Sequence, residues 1–270
     1  MDAQNDQLET LVATVLASSR YKEVSDELIR GIGLRELTRR SNLKEAIKST
    51  KSKLHQVGGA YLTDKKNYGA WLHDLKHLSR LDNQDNFLAY LKMVMGYHVS
   101  TRERLPLLEQ FYKTILADLP PIHSVLDIAC GFHPLALPWM PLVDPVEYYA
   151  YDIYKDMLTF LGEFMALAQV PGQAQVCNMT QSCPAQKVDL AFVLKALPCL
   201  EQVDKLASSR LLQSINANYI VVSFPVHSLG GKARGMEVNY EAKFRALVED
   251  TAWSLKRFEF PTELAFLITK

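Results

Sequence analysis

Long apolar runs are missing from this chain. No stretch of its 270 residues approaches the ~20 that a membrane-spanning helix needs. Cysteine is scarce as well. Cys130, Cys177, Cys183 and Cys199 show neither the paired spacing of a zinc site nor a disulfide framework, so reduced, mostly buried thiols are expected. There is no G-x-G-x-x-G turn and no Gly-Lys-Ser/Thr phosphate loop, which argues against a dinucleotide pyrophosphate or a P-loop ligand. No spacing suggests a Ser/His/Asp arrangement. His73 and His77 stand four apart in a helical stretch but lack a third ligand, so no metal is expected. The start, Met1-Asp2-Ala3-Gln4-Asn5-Asp6, has neither a basic n-region nor an apolar h-region, which predicts a cytoplasmic protein. Hydrophobic residues make up 48% and charged ones 22%, a composition that folds rather than stays disordered.

The formal net charge of zero hides an asymmetry. Between Arg30 and Lys66, ten basic residues face three acids, a net +7; from Pro106 to Lys270, 13 basic face 17 acidic residues, a net −4. The basic part is either a module for a polyanion or a solvated helix face. Its candidate contacts are Arg39, Arg40, Lys44, Lys48, Lys51, Lys53, Lys65 and Lys66, of which Lys44, Lys48 and Lys51 share one helix face. Helices are expected over 4–18, 25–38 with Ser25 as N-cap, and from after Ser41 to about Val57, where Gly58-Gly59 stops the third. Further helices are expected over 68–79, 84–96 and 102–117, the last capped by Thr101. Pro120-Pro121 then ends the helical region. The boundary near residues 100–120 separates a helical unit, 1–105, from a second, 106–270.

From there strands (123–129, 147–152, 173–178, 188–194, 218–224) alternate with helices (154–168, 203–215, 238–249), and two strands around Pro261 close the chain. Alternation means a mostly parallel sheet, with the ligand at the carboxyl ends of the strands where their order switches. The organising stretch is Val125-Leu126-Asp127-Ile128-Ala129-Cys130-Gly131, a buried strand running into a small-residue turn. Tyr149-Ala150-Tyr151-Asp152 answers it with a carboxylate, placed as for two ribose hydroxyls. The proline-containing stretch after the turn is a poor pyrophosphate cradle but can accept S-adenosylmethionine, which has no phosphate. Arg104 either pairs with a methionine carboxylate or is a surface arginine beside Glu103 or Glu109. Lys195 either faces the ligand or caps a strand end. Cys199, in Pro198-Cys199, is either a nucleophile of the kind that cytosine-C5 methyltransferases use or a buried structural thiol; its flanks, Leu197 and Leu200, favour the thiol. The loop Ser228–Gly235, with Lys232 and Arg234, is either a basic flap that closes on nucleic acid or a plain surface loop.

Several segments together resemble one family, the aminoglycoside-resistance methyltransferases that modify N7 of a guanosine in the decoding site of 16S ribosomal RNA. They are Leu54-His55, Gly59-Ala60-Tyr61, His98-Val99-Ser100-Thr101-Arg102-Glu103-Arg104, Val125 to Gly131, His133-Pro134-Leu135-Ala136-Leu137, Asp152-Ile153, Leu194-Lys195-Ala196-Leu197-Pro198, Ser223-Phe224-Pro225, Ser228 to Lys232, Gly235-Met236-Glu237 and Asn239-Tyr240. The resemblance implies an α/β fold: a class I S-adenosylmethionine-dependent methyltransferase, Rossmann-like, with a mostly parallel seven-stranded sheet and an N-terminal all-helical RNA-binding extension. It implies cofactor contacts from Tyr61, His98, Ser100, Arg104, Ala129, Gly131, Asp152, Asn178, Met179 and Lys195, with Asp152 on the ribose and Arg104 on the methionine carboxylate. The implied partner is 16S rRNA in the 30S subunit, met by a monomer. Two positions depart from the family pattern: His133 stands where it usually has Asn, and Asn178 where it usually has Asp. The Asn178 amide oxygen is expected to accept from the adenine amino group.

Overall fold

The structure is a computed structural model that describes residues 2–62, 66–81, 83–226 and 236–270. Among the described residues seven α-helices come first: α1 (Asp2–Leu16), α2 (Asp26–Arg39), α3 (Leu43–Leu54), α4 (Tyr68–Leu78), α5 (Gln84–Met95), α6 (Val99–Arg104) and α7 (Leu108–Ile115). Strands β1 (Ser124–Ile128) and β2 (Glu147–Asp152) lead to α8 (Lys155–Leu167), then β3 (Gly172–Val176) and β4 (Val188–Leu194). Helices α9 (Leu197–Val203) and α10 (Ala207–Ser214) precede β5 (Ala217–Pro225), and α11 (Met236–Val248) precedes β6 (Ser254–Phe260) and β7 (Glu263–Thr269).

Local chemistry explains the early boundaries. The Ser25 hydroxyl accepts the Leu28 N–H at 3.4 Å, and Asn42, Asn67 and Asn83 cap α3, α4 and α5 in the same way, three residues ahead. Three expectations fail at helix ends. Gly58-Gly59 does not stop the third helix; a π-helical turn, His55–Gly59, continues it. A Cβ on Gly58 would lie 2.8 Å from the Tyr154 hydroxyl, so close approach is what this glycine provides. The helix expected over 102–117 is broken into α6, a 3₁₀ turn at Leu105–Leu107 and α7. Pro106 has no N–H to donate and its ring crowds the carbonyl four residues back. Thr101 lies inside α6 instead of capping a helix, its hydroxyl donating to the Met95 and His98 carbonyls. The helix expected over 203–215 begins only at Ala207, and a helix not expected from sequence, Leu197–Val203, precedes it, with Pro198 in its first turn where a missing N–H costs nothing.

The seven strands form one sheet in the order β3-β2-β1-β4-β5-β7-β6. All pairings from β3 to β5 are parallel, and β7 runs antiparallel to both β5 and β6. The order switches between β1 and β4, which opens a crevice at their carboxyl ends. Side chains alternate across the sheet. Val125, Leu190, Phe192 and Val221 join the core under the N-terminal helices, whereas Leu126, Ile128, Ala191 and Val193 meet α10 and α11 on the other face.

The N-terminal helices lie across the carboxyl end of the sheet. The Ser25 N–H donates to the Ile153 carbonyl and the Lys155 N–H to the Glu23 carbonyl, both at 2.8 Å. Arg35 donates to the Val203 carbonyl at 2.6 Å and pairs with Asp204.

Gly172 opens β3 at φ 131°, and a Cβ there would run into the Tyr148 carbonyl of the neighbouring strand. Gly172→Ala is expected to cost ~2 kcal/mol or more, read as a lower urea midpoint at unchanged slope. A wild-type midpoint would contradict this.

Candidate cofactor site

A cavity open to solvent, with about 890 Å³ of empty space including that opening, occupies the crevice at the strand-order switch. Its floor is the turn after β1, where Ala129 has φ 52° and Gly131 φ 53°. The left-handed region costs an alanine, so surrounding contacts hold the turn there. At Gly131 only glycine fits: a Cβ would come within 2.6 Å of the His98 ring. The Gly131 N–H donates to Asp152 Oδ2 at 2.9 Å, which joins the turn to the end of β2. Asp152 Oδ1 accepts the Ile153 N–H at 2.6 Å. Burial pushes the Asp152 carboxyl up to about 6, even though these N–H donors act to lower it.

His98 and Tyr61 form one wall, their rings near-parallel with centroids 6.2 Å apart. Burial, with the Arg104 and Lys195 charges, pushes His98 down to about 3, so the ring is neutral. The Tyr61 hydroxyl lies 3.1 Å from Cys199 Sγ. Cys199 is therefore not the sequestered core thiol that its neighbours suggest. Ala196, the N-cap of α9, follows helical spacing with Cys199 and Leu200 on that helix, and all three line the cavity. Burial pushes its thiol up, the reverse of what a nucleophile needs.

Opposite Asp152 sits a buried charge cluster. Arg104 Nε and Nη2 donate to the two Glu263 carboxylate oxygens at 3.1 and 2.5 Å. Lys195 Nζ lies 2.7 Å from Glu103 Oε2 and 3.4 Å from Glu263 Oε2. Arg104 is 1% exposed and Glu263 0%, which rules out the surface arginine paired to Glu103 or Glu109. Burial acts to raise the Glu263 carboxyl, and the Arg104 and Lys195 charges more than offset this, holding it below the usual carboxylate range. Lys195 is itself left-handed at φ 57°, its N–H bonded to the Ser223 carbonyl. Glu263 and Glu103 escape sequence reasoning. The available signal is an acid opening the apolar run Leu264-Ala265-Phe266-Leu267-Ile268.

Beside the cluster, Asp127 Oδ2 accepts from Tyr148 Oη at 2.7 Å and faces His133 Nδ1 at 2.8 Å. At the far end, past β3, Asn178 Oδ1 accepts from the Thr180 N–H and hydroxyl at 3.2 and 2.7 Å. Its oxygen is thus occupied, and Nδ2 is the atom without a partner. The side chain thus has a free donor and not the free acceptor expected from sequence.

Of the ten residues expected to hold the cofactor, Tyr61, His98, Ser100, Arg104, Ala129, Asp152, Asn178, Met179 and Lys195 line this cavity. Gly131 lies behind, acting through its bond to Asp152. The basic residues are less uniform. Arg39, Lys44 and Lys48 are exposed and Lys51 is half-buried. Arg40 bonds Glu36 and Ser49, Lys53 donates to the Gln202 carbonyl, and Lys66 pairs with Asp156. Lys65, Lys232 and Arg234 lie outside the described residues, as does the loop at 228–235. His73 and His77 are exposed, and no group of metal-ligating side chains occurs among the described residues.

Residues 17–267 match the ribosomal RNA methyltransferase (FmrO) family. The chain belongs to this family. Among its relatives are proteins named 16S rRNA (guanine(1405)-N(7))-methyltransferase. That of Micromonospora echinospora is 32% identical over 99% of this chain and 98% of its own, and that of Frankia casuarinae 34% identical over 99% and 95%. The crystal structure of the 16S rRNA methyltransferase RmtF with S-adenosyl-L-homocysteine superposes with a TM-score of 0.83 at 26% identity, covering 98% of both chains. An rRNA methylase structure from Escherichia coli gives 0.77 at 28%, over 97% of this chain and 99% of that one.

The family's cofactor fits what the cavity offers. Three of its lining residues carry buried polar atoms that no protein group satisfies, His98 Nδ1, His133 Nε2 and Asn178 Nδ2. Such orphans are costly unless a ligand meets them. Along the strand order the cavity presents Asn178 and Met179 after β3, Asp152 at the end of β2, and Ala129 and Lys195 after β1 and β4.

Two outcomes are expected. Glu263→Ala leaves Arg104 and Lys195 buried without their anion and should cost about 3–5 kcal/mol, seen as a fall in thermal midpoint; an unchanged midpoint would sink this account. Binding of S-adenosylhomocysteine should weaken as pH falls below about 6, by up to ~10-fold per pH unit, and Asp152→Asn should remove the dependence. The stability sign is opposite. With its folded pKa raised, the contribution of Asp152 to stability is complete below its unfolded value and lost as pH rises through about 6. Calorimetric titration across that range decides it.

Proposed function

We propose that this chain transfers a methyl group from S-adenosylmethionine to N7 of the decoding-site guanosine that its relatives' names specify, in 16S rRNA within the 30S subunit. It acts as a monomer in the cytoplasm. The observation that carries this reading is the cavity itself: an acid for ribose, an amide for adenine and a buried cationic cluster for a carboxylate, spaced in the order in which the cofactor presents them. S-adenosylmethionine supplies, when bound, a methyl group on a sulfonium, which a lone pair can take up directly. Guanine N7 has such an in-plane lone pair and no proton to lose, so the chain needs no general base. That suits a wall whose titratable groups are a neutral His98 and a thiol raised by burial. The work left to the protein is orientation and exclusion of water by Tyr61, His98 and the helices above them.

The helical part of the chain, residues 1–105, serves as the RNA-docking part. Exposed Arg39, Lys44 and Lys48 present a cationic face suited to phosphates. The target base must leave its stack to reach the cavity, and folded RNA is recognised largely by shape, which favours the assembled subunit as substrate. A methyl group and positive charge at N7 would obstruct an aminoglycoside in the decoding site, so resistance follows.

Incubation with 30S subunits and labelled S-adenosylmethionine, followed by mapping, should place the label at that N7. Asp152→Ala should abolish it, and a triple Lys44, Lys48 and Lys51 to Ala variant should bind the subunit more weakly than wild type by a larger factor at 50 mM salt than at 200 mM, with a shallower salt slope. Cys199→Ala should keep most of the activity. Loss of all transfer in Cys199→Ala would favour attack by the thiol on a cytosine instead.

A further inference from the structure

His133 replaces the family's usual asparagine, and the proposed reaction has not used it. It is 2% exposed, lines the cavity, and packs between Phe192 at 4.8 Å and Tyr112 at 5.7 Å, ring centroid to centroid. Its two ring nitrogens differ. Nδ1 faces Asp127 Oδ2 at 2.8 Å, and Tyr148 donates to the same oxygen, so the carboxylate receives the Nδ1 proton. In the neutral ring Nε2 is then left as a lone pair. No protein group donates to it. A carboxylate–histidine pair in an active site invites assignment as a general base, but N7 has no proton for it to take.

Charge balance points to a different role. At this end of the cavity Arg104 and Lys195 are matched by Glu263 and Glu103. Asp127 remains, a buried anion 1% exposed whose partners within hydrogen-bond reach are a phenol and an imidazole. A cation from outside the chain would balance it. With adenine at β3 and ribose at β2, the amino-acid end of the cofactor crosses β1 on its way to Arg104 and Lys195, past His133.

We propose that His133 Nε2 accepts a hydrogen bond from the α-ammonium group of the cofactor's methionine moiety, and that Asp127 fixes the ring so that this lone pair is free. This rests on the cavity being the S-adenosylmethionine site. His133 is a binding residue for the amine, distinct from the Arg104 side that suits the carboxylate.

The test measures calorimetric affinities of the wild type and two variants for three ligands. S-adenosylhomocysteine carries amine and carboxylate, its decarboxylated analogue carries the amine alone, and methylthioadenosine carries neither. An asparagine amide reaches about as far as Nδ1 and a glutamine amide about as far as Nε2. His133→Asn should therefore weaken both amine-bearing ligands about 10-fold, or about 1.4 kcal/mol, and leave methylthioadenosine unchanged. His133→Gln, whose oxygen can replace the lone pair, should stay within about threefold of wild type for all three. Equal weakening of all three ligands would show a packing role and overturn the proposal, as would unchanged affinities throughout. Weakening of S-adenosylhomocysteine but not of its decarboxylated analogue would make His133 a carboxylate ligand, also overturning it. A wild-type chain that binds none of the three would instead bring down the cofactor reading on which this one stands.

Discussion

A single carboxylate, Glu263, holds together parts of the chain that have little else in common. It stands at the start of β7 and takes both edges of contact from Arg104, at the end of α6, while Lys195 approaches from the end of β4. In water such contacts contribute little, but with exposures of 0, 1 and 5% none of the three can be left alone. The antiparallel β7, which lies between β5 and the edge strand β6, is thereby required by the cavity as well as by the core. Two cations packed near one cofactor end would repel each other without it. With it they form a fixed, nearly neutral platform that lines the crevice.

Strain is stored around the same platform. Ala129 and Lys195, at the ends of the two strands flanking the order switch, both take left-handed backbone without being glycine. At Ala129 the next residues are bound on each side, Cys130 N–H to the Tyr151 carbonyl and Gly131 N–H to Asp152. At Lys195 the backbone is fastened to Ser223. These bonds over-determine the turn, so the Asp152 carboxylate is held in place before any ligand arrives.

Local signals read well from the residues alone. Ser25 caps the helix it is expected to cap, and Gly131 and Asp152, 21 residues apart, meet through one hydrogen bond because strand–turn–acid spacing is a local property of parallel pairing. Strand limits agree within one or two residues for the same reason, since apolar runs between turn residues have few alternatives. What fails is either a proline weighed too lightly, as at Pro106, or a partner far away in the chain. Arg104 and Glu263 are 159 residues apart, so nothing in the neighbourhood of either could name the other. Cys199 is misleading in sequence because buried leucines flank it, yet helical spacing places it with Ala196 and Leu200 along the cavity wall. Asn178 falls in the expected place but presents the other end of its amide, since only the fold reveals that Thr180 occupies the oxygen.

The bridges from Val24 to Tyr154 and from Leu62 to His98 make the helical extension a structural neighbour of the cavity as much as an appendage. Tyr61 and His98 belong to that extension, and Ser25 and Glu23 bond the backbone just beyond Asp152. On the reading proposed above, the surface that meets RNA and walls of the cofactor cavity both belong to this one helical part of the chain. Evolution could not exchange this extension for another recognition module, as it has in enzymes whose modules hang from linkers, without rebuilding the methyl-donor pocket too. Substrate recognition and cofactor chemistry here are inherited together.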